Sequence, residues 1–185
     1  MEALRKEERY VYADYCTWDD SERWELIGGV PYAMSPAPSS RHQTIIGALY
    51  LQLGNFLKGK SCKVFLSPFD VRLNFDTDDD TVVQPDLLVV CNQAKIDDKG
   101  CNGAPDMVIE ILSPSSARHD KSVKFRLYQQ FGVPEYWIVD PETKTVQVHV
   151  LDNGRYYTNI YTDADDAPVH VLESCTINLA DLFAI

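Results

Sequence analysis

The chain has 185 residues, of which 45% are hydrophobic and 24% are charged, and these proportions argue against a fibrous or intrinsically disordered protein. A chain of this length buries roughly two thirds of its unfolded surface in one core. The formal net charge of −11 argues against the broad basic surface with which most DNA-binding proteins neutralise phosphates.

A local basic patch would still be compatible with a nucleic-acid substrate. Cations can face the substrate while acidic loops face solvent, and the sequence offers for such a patch Arg41, Lys58, Lys60, Lys121, Lys124 and Arg126. Bound divalent cations would also offset clustered carboxylates.

The apolar runs of the sequence indicate whether the chain has a membrane helix or a secretory signal. The longest uncharged apolar run, residues 87–91, is far shorter than the roughly 20 residues that span a bilayer, and residues 1–8 lack the apolar segment of a secretory signal. A cytoplasmic location without a membrane helix is therefore expected.

The chain has five cysteines, none in Cys-x-x-Cys spacing. They support neither a disulfide framework nor a zinc site, and Cys91 is interpreted as a small buried hydrophobic residue.

The N-terminal third is predicted to contain a short helix or strand at residues 10–18, a hairpin and a long helix. Gly28-Gly29 supplies the positive φ angles of a two-residue turn, so residues 24–34 read as a hairpin. Glu25 then lies in a strand, either on the solvent side or in a site. Ser40 is the expected N-cap of a helix whose apolar stripe is Ile45, Ile46, Leu49, Leu53, Phe56 and Leu57. His42, near its start, is interpreted more readily as structural than as catalytic.

The middle of the chain is predicted to form strands. Short strands are expected at residues 62–65 and 69–73, and the acidic segment 76–80 is interpreted as a solvated hairpin tip because it lacks the glycine and terminal glutamate of an EF-hand. Continuous apolarity at residues 87–90 and 107–112 indicates strands that are covered on both faces. A loop of about a dozen residues is expected between these two strands.

The C-terminal part begins with a helix that starts at Ser115 or Ser116 and runs to about Phe131. Its predicted apolar face is Val123, Leu127 and Phe131. A central strand at residues 135–139, a hairpin of residues 145–151 and 155–161, and a terminal helix at residues 179–183 complete the pattern.

Asp86 and Glu110 are the candidate chemical centre. Adjacent pairing of their strands would bring the two carboxylates together, and a hard cation such as Mg²⁺ or Mn²⁺ between them would remove their repulsion. The purely structural interpretation is that Asp86 caps a turn and that Glu110 makes one partly buried ion pair with Lys121 or Lys124.

A lysine on the following helix extends this centre. Asp120, Lys124 and Tyr128 share a helical stripe at four-residue spacing. An ammonium placed there could orient or deprotonate an attacking water and stabilise developing phosphoryl charge. The structural alternative is an exposed ion pair that contributes a few tenths of a kcal/mol.

Pro85-Asp86 followed by Glu110 in an apolar strand resembles the motif of the PD-(D/E)XK nuclease superfamily. Several blocks together resemble, more closely, the Uma-type family of predicted endonucleases, which is abundant in cyanobacteria. These blocks are residues 25–29 (ELIGG), 34–38 (MSPAP), 84–86 (QPD), 110–115 (EILSPS) and 132–137 (GVPEYW). The resemblance covers about residues 20–160. It implies a single restriction-endonuclease-like α/β domain at residues 1–185, with a central mixed β-sheet flanked by helices and additional β-hairpins.

The resemblance also implies a metal-dependent endonuclease that hydrolyses DNA, with Asp86 and Glu110 as ligands of Mg²⁺ or Mn²⁺. Leu112 stands where the superfamily motif has its lysine. The family's lysine is then expected from the next helix, as Lys124, with Lys121 as the alternative.

Glu25 is an additional acidic candidate, and His42 a further catalytic candidate. Two other functions stay open: a catalytically inactive interaction or assembly module of the same fold, which the charge of −11 favours, and a metal-dependent hydrolase of a small phosphorylated compound. A homodimer is expected if both strands of a duplex are cut, with the hairpin of residues 145–161 as an available surface.

Overall fold

The computed structural model describes residues 8–18, 22–34, 39–114 and 120–184. In these ranges the helices are α1 (Tyr12–Tyr15), α2 (Ser40–Leu57), α3 (Phe125–Gln130) and α4 (Leu179–Leu182), with a 3₁₀ turn at Gln93–Lys95 and a π-helical turn at Asp120–Lys124. The strands are β1 (Trp24–Ile27), β2 (Val30–Ala33), β3 (Lys63–Leu66), β4 (Asp70–Arg72), β5 (Val82–Val83), β6 (Leu87–Val90), β7 (Ile96–Asp97), β8 (Gly100–Asn102), β9 (Met107–Ile111), β10 (Glu135–Asp140), β11 (Thr145–Asp152), β12 (Arg155–Thr162), β13 (Asp166–Pro168) and β14 (Thr176–Asn178).

A central mixed sheet organises the molecule, with the strand order β12-β11-β10-β9-β6-β3. Strands β9 and β10 are parallel, and β6 is antiparallel to both β3 and β9. All residues of β6 and β9 are buried. Both faces of these strands are covered, which explains their uninterrupted apolar sequence and confirms the prediction made from it.

One face of the central sheet is covered by α2, as its apolar stripe predicts. The second face is covered by α3 and by a second sheet of order β2-β1-β5-β4-β8-β7. The core on the α2 side includes Ile45, Leu49, Leu53, Leu87, Val89, Ile109 and Ile111. The core on the other side includes Val71, Val83, Leu88, Val108, Leu112, Leu127 and Tyr128. The alternation of β9 therefore sends Val108, Glu110 and Leu112 toward the second sheet.

Local turn chemistry agrees with the sequence in two places. Gly28 and Gly29 have φ angles of 57° and 78°, and they join β1 to β2 as expected for a two-residue hairpin. The acidic segment 76–80 lies in the turn between the antiparallel β4 and β5, where Asp79 accepts hydrogen bonds from Arg72. It is a hairpin tip, as predicted.

Several local predictions were wrong. The N-cap of α2 is Ser39 rather than Ser40, and it accepts a hydrogen bond from the His42 amide. Val123, predicted to lie on the apolar face of its helix, is 36% exposed. Part of the loop between β6 and β9 forms β7 and β8, and the C-terminal segment contains the additional hairpin β13-β14. The predicted helix start at Ser115 or Ser116 lies outside the described residues.

The interpretation of the cysteines was also wrong in one respect. Cys62 and Cys91 form a disulfide. The antiparallel pairing of β3 with β6 ends at Lys63 and Val90, so the two cysteines are the next cross-strand neighbours. Their contact depends on strand pairing between distant segments, which cysteine spacing does not reveal.

No helix in the described ranges is long and apolar enough to cross a membrane.

His149 is a buried titratable group on β11. It is 3% exposed, its Nδ1 lies 2.7 Å from Thr158 Oγ1, and its ring packs on Phe125, Tyr136 and Tyr156. Burial lowers the pKa of His149 from 6.5 to about 4. The folded protein therefore holds this imidazole neutral, whereas the unfolded chain protonates it below pH 6.5.

We predict that this difference makes the protein less stable in acid. As the pH falls from about 6.5 to about 4, His149 lowers the free energy of unfolding by up to about 1.4 kcal/mol per pH unit, because only the unfolded state takes up the proton. His149→Gln removes this proton uptake, so its unfolding free energy, measured by urea titration, should decline less steeply over that window. Parallel declines for the two proteins would contradict the prediction.

Candidate active site

Four segments bring the predicted acidic residues and a lysine to one pocket. Glu25 comes from β1, Asp86 directly precedes β6, Glu110 is in β9, and Lys124 ends the π-helical turn before α3. The pocket has a volume of about 1060 Å³, and these four side chains contribute to its lining. Each element is positioned by the central sheet or by a layer that packs on it.

Strand pairing places Asp86 beside Glu110. Leu87 pairs with Ile109 in the antiparallel β6-β9 ladder, so Asp86 and Glu110 are next in register. The Asp86 amide lies 3.4 Å from Glu110 Oε2, and the Ile111 amide donates to Asp86 Oδ2 at 2.8 Å. Each carboxylate thus contacts the backbone of the other segment.

Lys124 lies among carboxylates and is almost completely buried. Its Nζ is 2.8 Å from Glu110 Oε1, 2.9 Å from Glu25 Oε1 and 3.8 Å from Asp120 Oδ1. Tyr128 donates to the same Glu110 oxygen at 2.9 Å. The four-residue spacing of Asp120, Lys124 and Tyr128 puts them on one helical face. This face is buried, so the interpretation as an exposed ion pair was wrong.

Burial and neighbouring charges shift the titration of this cluster. Burial raises the pKa of Glu110 well above its usual value, and the carboxylates of Asp120, Asp86 and Glu25 raise it further against the opposing effect of Lys124. Burial by itself would lower the pKa of Lys124, but the carboxylates around it outweigh burial and raise that pKa. Lys124 contacts three carboxylates, those of Glu110, Glu25 and Asp120, so an additional cation would be favourable beside them.

His42 lies at the start of α2 and contacts Asp86. Its Nε2 is 3.1 Å from Asp86 Oδ2, and its Nδ1 is buried without a hydrogen-bond partner among the described residues. Burial lowers the pKa of His42, but the hydrogen bond to Asp86 and the negative charge of Asp86 outweigh it, so the pKa is raised. The imidazole holds one oxygen of Asp86.

The structure separates the two candidate lysines. Lys121 Nζ lies 3.6 Å from Asp140 Oδ2 at the edge of the pocket, with a side chain that is 44% exposed. Glu110 pairs instead with Lys124. The solvent-side interpretation of Glu25 was wrong, because this residue is 4% exposed, accepts a hydrogen bond from the Gln84 amide and pairs with Lys124.

Sequence reasoning did not single out Arg23 or Gln84, although both line the pocket. Arg23 lies outside every resembling block, so no motif pointed to it. Gln84 was noted only as part of the QPD block, and its contacts with Glu25 and Arg23 depend on packing of β1 against β5.

The donor set fits a hard divalent cation held by few protein ligands. Among the described residues, no group of three or more His, Cys, Asp and Glu side chains is arranged to hold a metal ion. Asp86 and Glu110 form a pair of carboxylates, and Mg²⁺ is commonly held by one or two carboxylates with the remaining positions taken by water and substrate phosphate. The Asp86 side chain is 21% exposed and therefore open to the pocket.

Replacement of Lys124 by methionine should destabilise the protein. Met has a similar length and helix propensity, but it leaves the buried Glu110 carboxylate without its cation, a change that typically costs about 3–5 kcal/mol. The matched control Lys121→Met, in the same turn but exposed, should change stability by only about 0.5 kcal/mol. Urea unfolding measures both variants, and equal effects would contradict a buried ion cluster.

Known proteins are similar to this chain in sequence or in fold. Residues 12–180 match the Uma2 family, which is described as "Putative restriction endonuclease". The "Uncharacterized protein slr1290" of Synechocystis sp. is 28% identical over 156 residues, covering 82% of this chain and 80% of the relative. The crystal structure of a "putative nuclease belonging to DUF820" from Anabaena variabilis superposes with a TM-score of 0.76 at 20% identity, covering 95% of this chain and 98% of that chain.

The structural similarity confirms the predicted fold class, which is a restriction-endonuclease-like α/β fold with a central mixed sheet, flanking helices and additional hairpins. The family match extends over most of the chain and includes the segments that carry Glu25, Asp86, Glu110 and Lys124. The protein therefore belongs to the Uma2 family of restriction-endonuclease-like proteins.

Proposed function

We propose that this protein is a metal-dependent endonuclease that hydrolyses phosphodiester bonds in DNA, with Asp86 and Glu110 as ligands of Mg²⁺ or Mn²⁺. The observation that carries the proposal is the contact of the buried Lys124 ammonium with Glu110, on the strand that pairs with the Asp86 segment. Membership in a family described as restriction endonucleases supports a nuclease-like function.

Asp86 and Glu110, which both line the pocket, would hold the ion through carboxylate oxygens. A bound divalent ion polarises a phosphate and lowers the pKa of the attacking water. His42 acts as a positioning residue in this proposal: it occupies Asp86 Oδ2 together with the Ile111 amide, which fixes the rotamer of the carboxylate.

Lys124 supplies positive charge beside the reacting phosphate. The surrounding carboxylates raise its pKa, so the side chain is an ammonium at neutral pH and acts as a hydrogen-bond donor rather than as a base. A preorganised donor aimed at developing negative charge stabilises the transition state. Glu25 and Glu110 hold the ammonium from two elements, and Glu25 is thus a second positioning residue.

Lys121 is not part of the proposed chemistry, because it pairs with Asp140 at the pocket edge. A homodimer, a cytoplasmic location and the organisation of residues 1–185 as one domain remain predictions from the sequence. The edge strand β12 exposes Tyr157 and Ile160 by 59% and 64%, which is compatible with a partner at the predicted hairpin surface.

Cleavage of plasmid and single-stranded DNA tests the function. The wild-type protein should cleave DNA in Mg²⁺ or Mn²⁺, and the cleavage should stop when EDTA is added. Asp86→Asn should abolish cleavage, and Lys124→Ala should slow it about a hundredfold or more, as expected for the loss of one preorganised donor. The matched control Lys144→Ala removes an exposed lysine that pairs with Asp163 and should cleave at the wild-type rate.

Two results would count against this function. If Asp86→Asn cleaves as fast as the wild type, the activity comes from a contaminant or from another site. If no divalent metal supports cleavage by the folded wild-type protein, the interaction-module alternative is favoured. Hydrolysis of small phosphate esters without DNA cleavage would favour the alternative of a small-molecule hydrolase.

A further inference from the structure

Among the described residues, three cations line the pocket and have no role in the proposed chemistry. Arg23 directly precedes β1, Arg41 lies in the first turn of α2, and Lys121 lies in the π-helical turn. They come from three separate elements that meet only in the folded protein. We call these three residues the basic rim.

The exposure of the side chains rises from the acidic centre to the basic rim. The side chains of Glu110 and Lys124 are each 5% exposed, and Asp86 is 21% exposed. Arg41 and Lys121 are 39% and 44% exposed. Arg41 and Lys121 are therefore more accessible to a ligand than Asp86 and Glu110.

Contacts with the protein hold each rim cation without covering it. Arg23 donates to Gln84 Oε1 from Nε at 3.0 Å and from Nη2 at 2.7 Å, so its charge is held by a neutral amide. Arg41 pairs with Glu142 at 3.0 Å. Exposed ion pairs of this kind contribute little, so a phosphate can replace the carboxylate at low cost. The two guanidinium groups also match the geometry of phosphate oxygens.

The rim is connected to the acidic centre through Gln84. This residue binds Arg23 through its side chain, and its backbone amide donates to Glu25 Oε1 at 3.0 Å. Asp86 follows two residues later. Arg23 is therefore fixed relative to the segment that carries the exposed acid of the centre.

The basic rim would also allow a protein with a negative net charge to bind DNA. A centre rich in carboxylates within a protein of charge −11 repels a polyanion, so a nucleic-acid substrate requires local cations at the point of entry. Of the six cations considered from the sequence, Arg41, Lys121 and the buried Lys124 line the pocket, whereas Lys58, Lys60 and Arg126 do not. Arg23 is a further exposed cation of the pocket.

We propose that Arg23, Arg41 and Lys121 bind backbone phosphates of the DNA strand that is cut, near the bond presented to Asp86. The inference rests on the proposed function and adds a substrate-binding surface to it. A few cations around one opening fit a single strand. A duplex held along its length would call for the broad basic surface that this chain lacks.

Binding without metal tests this surface independently of cleavage. Fluorescence anisotropy of a labelled single-stranded DNA oligonucleotide in EDTA measures the affinity of the wild type and of Arg23→Glu, Arg41→Glu and Lys121→Glu. Each substitution should weaken binding about tenfold or more and should lower the slope of log affinity against log salt by about 0.7 for each phosphate that the variant no longer binds. Arg126→Glu, an equal change of charge outside the pocket, is the matched control.

Arg23→Gln, Arg41→Gln and Lys121→Gln keep the test interpretable if a charge reversal unfolds the protein, which near-ultraviolet circular dichroism would report. The inference is overturned if the rim variants bind as tightly as Arg126→Glu, or if the folded wild type does not bind the oligonucleotide at low salt. If rim variants lose binding while the wild type cleaves nothing in any metal, the binding surface stands and the proposed chemistry fails.

Discussion

The placement of one ammonium among buried carboxylates is the constraint on which the site depends. Removing an ion from water costs several kcal/mol unless charged partners and hydrogen bonds compensate. Lys124 has such partners in Glu110 and Glu25, and Tyr128 satisfies Glu110 from the same helical face. These contacts tie β1, β9 and the segment leading into α3 to one point.

The central sheet supplies the second constraint. Pairing of β6 with β9 sets Asp86 beside Glu110, while alternation along β9 turns Glu110 away from the α2 core and toward Lys124. The α2 helix contributes more than apolar burial, because its first turn carries His42 to Asp86. A shift of β9 by one residue in its pairing register would send Glu110 to the opposite face and break its contacts with Lys124 and Tyr128.

Local patterns predicted the elements that form this frame, and long-range packing decided the rest. The apolar runs of β6 and β9, the stripe of α2 and the Gly28-Gly29 turn are properties of short segments. The Cys62-Cys91 bond, the strands β7, β8, β13 and β14, and the exposure of Val123 depend on neighbours far along the chain. Asp86 and Glu110 were identified from the sequence as acidic residues at the start of, or within, apolar strands. Lys124 was preferred over Lys121 because of a family resemblance. The structure gives the physical reason for this preference, because Lys124 contacts Glu110 whereas Lys121 contacts Asp140.

The arrangement of charge explains how an acidic protein could bind the polyanionic substrate that we propose for it. The carboxylates of Glu25, Asp86 and Glu110 line the pocket, where a divalent cation would offset them. The cations Arg41 and Lys121 are more exposed than these carboxylates. The same pocket without a bound ion would keep an excess of negative charge beside the approaching phosphate. The proposed chemistry therefore depends on metal binding by Asp86 and Glu110, since the roles of Lys124 and His42 follow from it.

Anomalous diffraction from crystals of the protein soaked in Mn²⁺ tests that claim most directly. We expect one Mn²⁺ peak in the pocket, about 2.1 Å from one oxygen of Asp86 and one oxygen of Glu110, with Lys124 still in contact with Glu110. The same soak of Asp86→Asn should lose the peak. A wild-type pocket without Mn²⁺ at saturating concentration, or an ion bound to neither carboxylate, would contradict the account.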